Sequence, residues 1–173
     1  YEREIEVLGN REPDRRWAAW LRTGDIARNH TQDTERSLRA YVAAADIAPL
    51  PAERSLERAE LHHHCGEIEA FADVFADWCD TPESGALAAD HMRLAETLEA
   101  LGRADAARVR IERALELETE NAQAWYVSAR LCEAAGEPDA ASNAWRCAAA
   151  LTSGAEAAEA WHHAAASSPV AAV

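Results

Sequence analysis

Residues 101–115 read Leu-Gly-Arg-Ala-Asp-Ala-Ala-Arg-Val-Arg-Ile-Glu-Arg-Ala-Leu, and residues 135–149 read Ala-Gly-Glu-Pro-Asp-Ala-Ala-Ser-Asn-Ala-Trp-Arg-Cys-Ala-Ala. Laid over one another at an offset of 34, they align Gly102 with Gly136, Ala107 with Ala141, Ile111 with Trp145 and Ala114 with Ala148. The same offset relates Leu98 to Cys132 and His91 to Trp125. The apolar positions fall at i, i+4 and i+7, which is one face of a helix. A supersecondary unit repeated every 34 residues is a helix–turn–helix repeat.

Working outward, the second-helix stripe recurs as Ser37-x3-Tyr41-x2-Ala44, Phe71-x3-Phe75-x2-Trp78, Ala107-x3-Ile111-x2-Ala114 and Ala141-x3-Trp145-x2-Ala148. Successive starts are 34, 36 and 34 residues apart, and the two additional residues fit in the turn at 81–85. The first helices are looser. Trp20-x2-Thr23-Gly24-x2-Ala27 carries a small residue where two helix faces must approach closely. His91-x2-Leu94-Ala95-x2-Leu98 and Trp125-x2-Ser128-Ala129-x2-Cys132 keep that small residue, and Ser55-x2-Arg58-Ala59-x2-His62 keeps little else. Helices are predicted over 14–30, 34–47, 52–64, 67–79, 84–100, 103–117, 122–135 and 139–151. Breaks of one to three residues inside each pair force antiparallel neighbours.

Composition agrees. The 173 residues include 42 alanines but only 7 glycines and 6 prolines, so strong helix formers dominate and an all-α chain follows. There are 17 arginines, no lysine and 31 acids, a formal charge of −14. Such a chain is ill suited to a phosphate backbone or an anionic membrane. The charge is uneven: residues 1–58 hold ten arginines and eleven acids, whereas 59–173 hold seven and twenty. Cys65, Cys79, Cys132 and Cys147 form no CxxC pair and read as small core residues. No apolar run approaches the roughly 18 residues of a membrane span. A first residue of Tyr1 rather than Met leads us to expect a segment of a longer protein.

With these motifs in place, the chain resembles the tetratricopeptide repeat (TPR) family, whose signature is W-x2-L-G-x2-Y, then A-x3-F, then P. The resemblance implies an all-α solenoid, a right-handed superhelix of antiparallel helix pairs. It divides the chain into repeats at 14–49, 50–82, 84–119 and 121–153, with a terminal capping helix at 154–167 that includes Trp161. Residues 1–8 resemble the remnant of a preceding helix. The second repeat departs most, with Phe71 at a normally small position and with Arg58 and His62 in its first helix. Likeness to large tandem TPR proteins rich in alanine and arginine implies a bacterial, cytoplasmic setting.

Residues that suggest chemistry are scarce. His62-His63-His64-Cys65 offers zinc ligands, with Cys79 or His91 as a further candidate. Neighbours on a helix point about 100° apart, so the run also reads as a helix end favoured by the dipole and closed by Gly66. His162-His163 is a weaker version. Carboxylate pairs such as Glu67/Glu69 and Asp77/Asp80 lack a hydrophobic pocket and an opposing partner. There is no phosphate-cradling loop and no nucleophile–base pattern. The expectation is a protein with no catalytic residue, no cofactor and no assigned metal ligand.

TPR arrays bind partners on the concave face lined by the first helices. By phase, the resemblance implies a groove formed by Leu21, Asp25, Arg28 and Asn29, then Leu56, Glu60, His63 and His64. Met92, Glu96 and Glu99 follow, then Gln123, Tyr126, Arg130 and Glu133. Apolar Leu21, Leu56, Met92 and Tyr126 alternate with an acidic row, Asp25, Glu60, Glu96 and Glu133. The guest implied is a peptide or helix bearing Arg or Lys. Three other readings stand beside it. The acids pair internally with Arg28, Arg58 or Arg130; the array is a spacer that self-associates through its ends; or His62–Cys65 responds to a metal. Nucleic acid and membrane insertion are not expected partners.

Overall fold

The computed structural model describes residues 2–8 and 12–167. All regular elements among them are helical. Contacts divide the chain into two units, Tyr1–Gly85 and Ala86–Val173. Tyr1 and most of the stretch between the helices expected at 1–8 and 14–30 lie outside the described residues.

The first unit contains α1 (Glu2–Leu8), α2 (Pro13–Ile26), α3 (Thr34–Ala45), α4 (Ala52–His64) and α5 (Ile68–Cys79). Pro13 occupies the first turn of α2, where its missing N–H costs nothing. Ile5 and Leu8 of α1 are buried, and α1 packs on α2. α2 pairs with α3 and α4 with α5, each through a short connection, while α3 also packs on α4. The expected helix over 14–30 changes character at Ala27, where Ala27–Thr31 forms a π-turn. It closes on Gln32 in the left-handed region (φ 53°), whose N–H reaches the Ala27 carbonyl. Asp33 then caps α3 by accepting the Arg36 N–H at 3.0 Å. At the end of the unit, Pro82–Ser84 makes a single 3₁₀ turn where the two additional residues were expected.

The core of this unit answers the irregularity at Phe71. Phe71 and Phe75 are fully buried, stacked at 5.1 Å, and Phe75 stacks in turn on Trp78 at 5.3 Å. Aromatic bulk along α5 thus takes the place of the small residue of the family pattern. A second cluster joins Leu38, Tyr41 and Leu61, with Leu21, Val42 and Leu50 against it. Half-buried Arg58 has its guanidinium pulled below its usual range by burial, an effect opposed by Asp77 and Asp46.

The second unit contains α6 (Ala88–Ala100), α7 (Ala104–Leu117), α8 (Ala122–Ala134), α9 (Pro138–Leu151) and α10 (Gly154–Ala166). The helix expected from residue 84 starts at Ala88, because Gly85 is left-handed and the Asp90 carboxylate caps the Leu87 N–H at 2.9 Å. Gly102 and Gly136 adopt the same φ of 72°. Each ends its helix with the same pair of bonds. Arg103 N–H reaches Leu98 O at 2.8 Å and Gly102 N–H reaches Glu99 O at 2.9 Å, repeated by Glu137 to Cys132 and Gly136 to Glu133. These two glycines are 34 residues apart because both turns use the left-handed region, which glycine adopts without strain.

Alanine builds this core. Ala129, Ala141, Ala144, Ala149, Ala160 and Ala164 surround Trp145 and Cys132, which lets α8, α9 and α10 approach closely. Ser142 Oγ donates to the Ala164 carbonyl at 2.8 Å, fastening α10 to α9. α10 packs through Ala160 and Ala164, whereas Trp161, 51% exposed, faces away from that contact. Of the cysteines read as core residues, Cys79 and Cys132 are buried and Cys147 is half-buried. Cys65 departs from that reading because it follows the last turn of α4 and is exposed.

Candidate functional site

In the first unit the expected groove residues fall into two groups. Asp25 and Arg28 join a compact polar network with three residues that were not expected in the groove, Tyr41, Arg54 and Glu57. Tyr41 Oη donates to Asp25 at 2.7 Å and to Glu57 at 3.0 Å. Arg54 Nε lies 2.9 Å from Asp25, and its Nη1 lies 3.0 Å from Glu57. Arg28 also forms an ion pair with Glu57. One hydroxyl proton cannot fully satisfy two acceptors, and both arginines supply the remaining positive charge. Burial first, then the hydrogen bond to Asp25 and the charges of both acids, push the Tyr41 phenol far above its ordinary range. Asp25 is therefore committed to holding α2, α3 and α4 together. Leu21 is partly buried against the Leu38–Tyr41–Leu61 cluster. Asn29, on the π-turn, is exposed, and Leu56 is half-buried on α4.

The second group lies on the last turns of α4, where the histidines separate by helical phase. His62 turns inward, 8% exposed, with Nδ1 2.7 Å from the Glu67 carboxylate. His63 and His64 are exposed and share a face with Glu60. His63 meets Phe71 edge-on at 5.1 Å. Trp17, which the repeat pattern left unplaced, donates its indole N–H to Ala48 O at 3.2 Å.

In the second unit Met92 is half-buried and Glu96 exposed on α6. Glu99 pairs with Arg130 at 2.6 Å, linking α6 to α8. Glu133 accepts the Trp145 indole N–H at 2.8 Å and the Ser167 hydroxyl at 2.8 Å. The acids expected as one row thus differ in what they do: Asp25 and Glu133 bind residues of their own unit, Glu60 shares a face with His63 and His64, and Glu96 faces solvent. Gln123, Tyr126 and Arg130, however, line a single recess of about 490 Å³ together with Trp145, Glu156, Glu159 and His163. Tyr126 meets Trp145 edge-on at 5.4 Å, and His163 stacks on Trp145 at 4.6 Å. The Tyr126 hydroxyl donates to the Glu156 carbonyl at 3.0 Å, tying α8 to the start of α10.

Sequence reasoning placed α10 only as a cover and so missed its contribution. The signal was present: Glu156, Glu159 and His163 stand at i, i+3 and i+7 on one helical face. No comparable signal marked Arg54 and Glu57, which besides pairing with each other reach back to Asp25, Arg28 and Tyr41.

Comparison with solved structures agrees with this architecture. The chain is similar to a MamA protein, at 19% identity and a TM-score of 0.58, covering 85% of this chain and 81% of that one. It is similar to YrrB, described as a TPR protein with an unusual peptide-binding site, at 17% identity and a TM-score of 0.60, covering 86% and 74%. PilW, a type IV pilus biogenesis factor, aligns at 16% identity and a TM-score of 0.51 over 94% and 80%. The fold is therefore TPR-like and all-α, as the resemblance in the sequence implies. No protein-family model matches the sequence. No curated protein matches it either. Among the described residues, no helix is long and apolar enough to cross a membrane.

Proposed function

We propose that the protein is a protein–protein interaction scaffold, with repeats at 14–49, 50–82, 84–119 and 121–153. Its acid-lined first-helix faces receive a peptide or helix bearing Arg or Lys. The observation that carries this reading is the recess of about 490 Å³ in the second unit. Its walls combine three aromatic rings, from Tyr126, Trp145 and His163, with the carboxylates of Glu156 and Glu159. Aromatic faces attract a guanidinium, and carboxylates favour the same charge. The excess of acids in residues 59–173 extends that preference over the surrounding surface. Helix α10 is then a wall of the binding face as well as a cover for the last pair.

The test is a peptide array of Arg- and Lys-bearing sequences, extended and helical, read against the full chain. Capture should weaken at least tenfold in the doubly substituted Glu156→Arg, Glu159→Arg protein and in Tyr126→Ala, and should survive Glu120→Arg. Capture of the same peptides at wild-type strength by the charge-reversed protein would overturn the reading.

A further inference from the structure

We propose that Glu60, His63 and His64 form a three-ligand site for a divalent transition ion of the zinc, cobalt and nickel group, on the last turns of α4. The three residues stand at i, i+3 and i+4, so one helical face carries them all. One ligand atom from each lies within 4.8 Å of the other two. Atoms bound to one ion at about 2.1 Å can be at most about 4.2 Å apart, so closure asks for a movement of about an ångström. His63 and His64 are exposed and can make it by rotating their side chains.

Two further features prepare the imidazoles. His64 Nδ1 lies 2.7 Å from the Glu60 carbonyl oxygen. A carbonyl only accepts, so Nδ1 carries the hydrogen and Nε2 keeps its lone pair for a metal. This outer bond, from the second ring nitrogen to a backbone carbonyl, is the arrangement that orients metal-binding histidines. His63 is braced edge-on by Phe71. Phe71 is in turn stacked on Phe75 and fully buried. The bulky residue at a normally small repeat position thus supports a ligand. His62 takes no part because its ring is turned inward to Glu67. Two imidazoles and a carboxylate suit late divalent ions, and three protein ligands leave a fourth position for water or for a donor from a bound protein. The inference stands apart from the peptide-binding recess, which belongs to the other unit.

The full chain, purified without a chelator wash or affinity tag, is titrated with zinc against a competing indicator, and with cobalt by visible absorption. One equivalent should bind, with a cobalt spectrum of mixed nitrogen and oxygen ligation. His63→Ala and His64→Ala should each weaken zinc at least tenfold, and Glu60→Gln should weaken it several-fold. His162→Ala should leave binding unchanged. Thermal melts of the unloaded variants should match wild type, since the two histidines are exposed. Failure to bind one equivalent, or binding that survives both histidine substitutions, would overturn the proposal.

Discussion

A Cβ built on Gly24 would lie 2.5 Å from Cε1 and 2.7 Å from Cδ1 of Tyr41. Helix α2 can approach α3 this closely only because position 24 has no side chain, and Ser37 Oγ uses the approach to donate to the Gly24 carbonyl at 3.0 Å. The Tyr41 ring cannot retreat, being fully buried and tied at its hydroxyl to Asp25 and Glu57. Gly24→Ala gains about 1 kcal/mol in helix propensity. Overpacking against a fixed ring costs about 3 kcal/mol. We expect a net loss of about 2 kcal/mol in denaturant unfolding, and a variant as stable as wild type would show that the two helices are free to separate.

Tyr41 should also give the stability a pH dependence. Its phenol is held protonated in the folded chain far above the value of about 10 that it regains on unfolding. A group raised in the folded state contributes fully below its unfolded pKa, and the contribution falls as the pH rises beyond it. Wild type should therefore lose up to about 1.4 kcal/mol per pH unit above pH 10 through this residue. Tyr41→Phe removes that slope and costs about 1–2 kcal/mol at neutral pH, where two acids lose a shared donor. Urea unfolding of both proteins between about pH 8 and 11 measures the difference. A gap between them that stays constant with pH would contradict the assignment.

These two residues show what the sequence made legible. Gly24 and Tyr41 both sit on the repeating stripes, so their burial follows from period alone. Gly102 and Gly136 were equally plain, since both turns demand the same backbone. The fate of Asp25 was not. Its partners Tyr41 and Arg54 stand 16 and 29 positions away, and nothing in a 34-residue period relates them. A periodic reading says which face of a helix a carboxylate occupies. It does not say whether an arginine on the next helix reaches it. Glu156 and Glu159 escaped for another reason: α10 lies outside the repeating register, so its polar face had no counterpart to be compared with.

Repeat irregularity also leaves a removable cost at Gln32. The equivalent turns of the second unit place glycine in the left-handed region, but here Gln32 occupies it with φ 53°. An L residue pays about 1 kcal/mol or more for that conformation, and glycine's greater unfolded entropy returns part of the difference. Gln32→Gly is expected to stabilise the protein by about 0.5–1 kcal/mol, seen as a higher urea midpoint with unchanged slope. A lower midpoint would mean that the glutamine side chain contributes more than its backbone costs.

Glu133 separates a structural acid from a binding one. The repeat phase assigned it to the acidic row of the groove, yet its Oε1 accepts both the Trp145 indole and the Ser167 hydroxyl. Trp145 is only 5% exposed, so removing the acceptor strands a buried N–H. Glu133→Ala should cost about 1–2 kcal/mol in stability and shift the tryptophan emission. Exposed Glu96→Ala should be neutral in both readouts. Peptide capture in the array should then fall in Glu133→Ala only as far as the loosening of α9 and α10 disturbs the Trp145 wall, and Glu133→Gln, which keeps an acceptor, should restore it. If instead Glu133→Ala left stability intact while abolishing capture, the carboxylate would belong to the partner and not to Trp145.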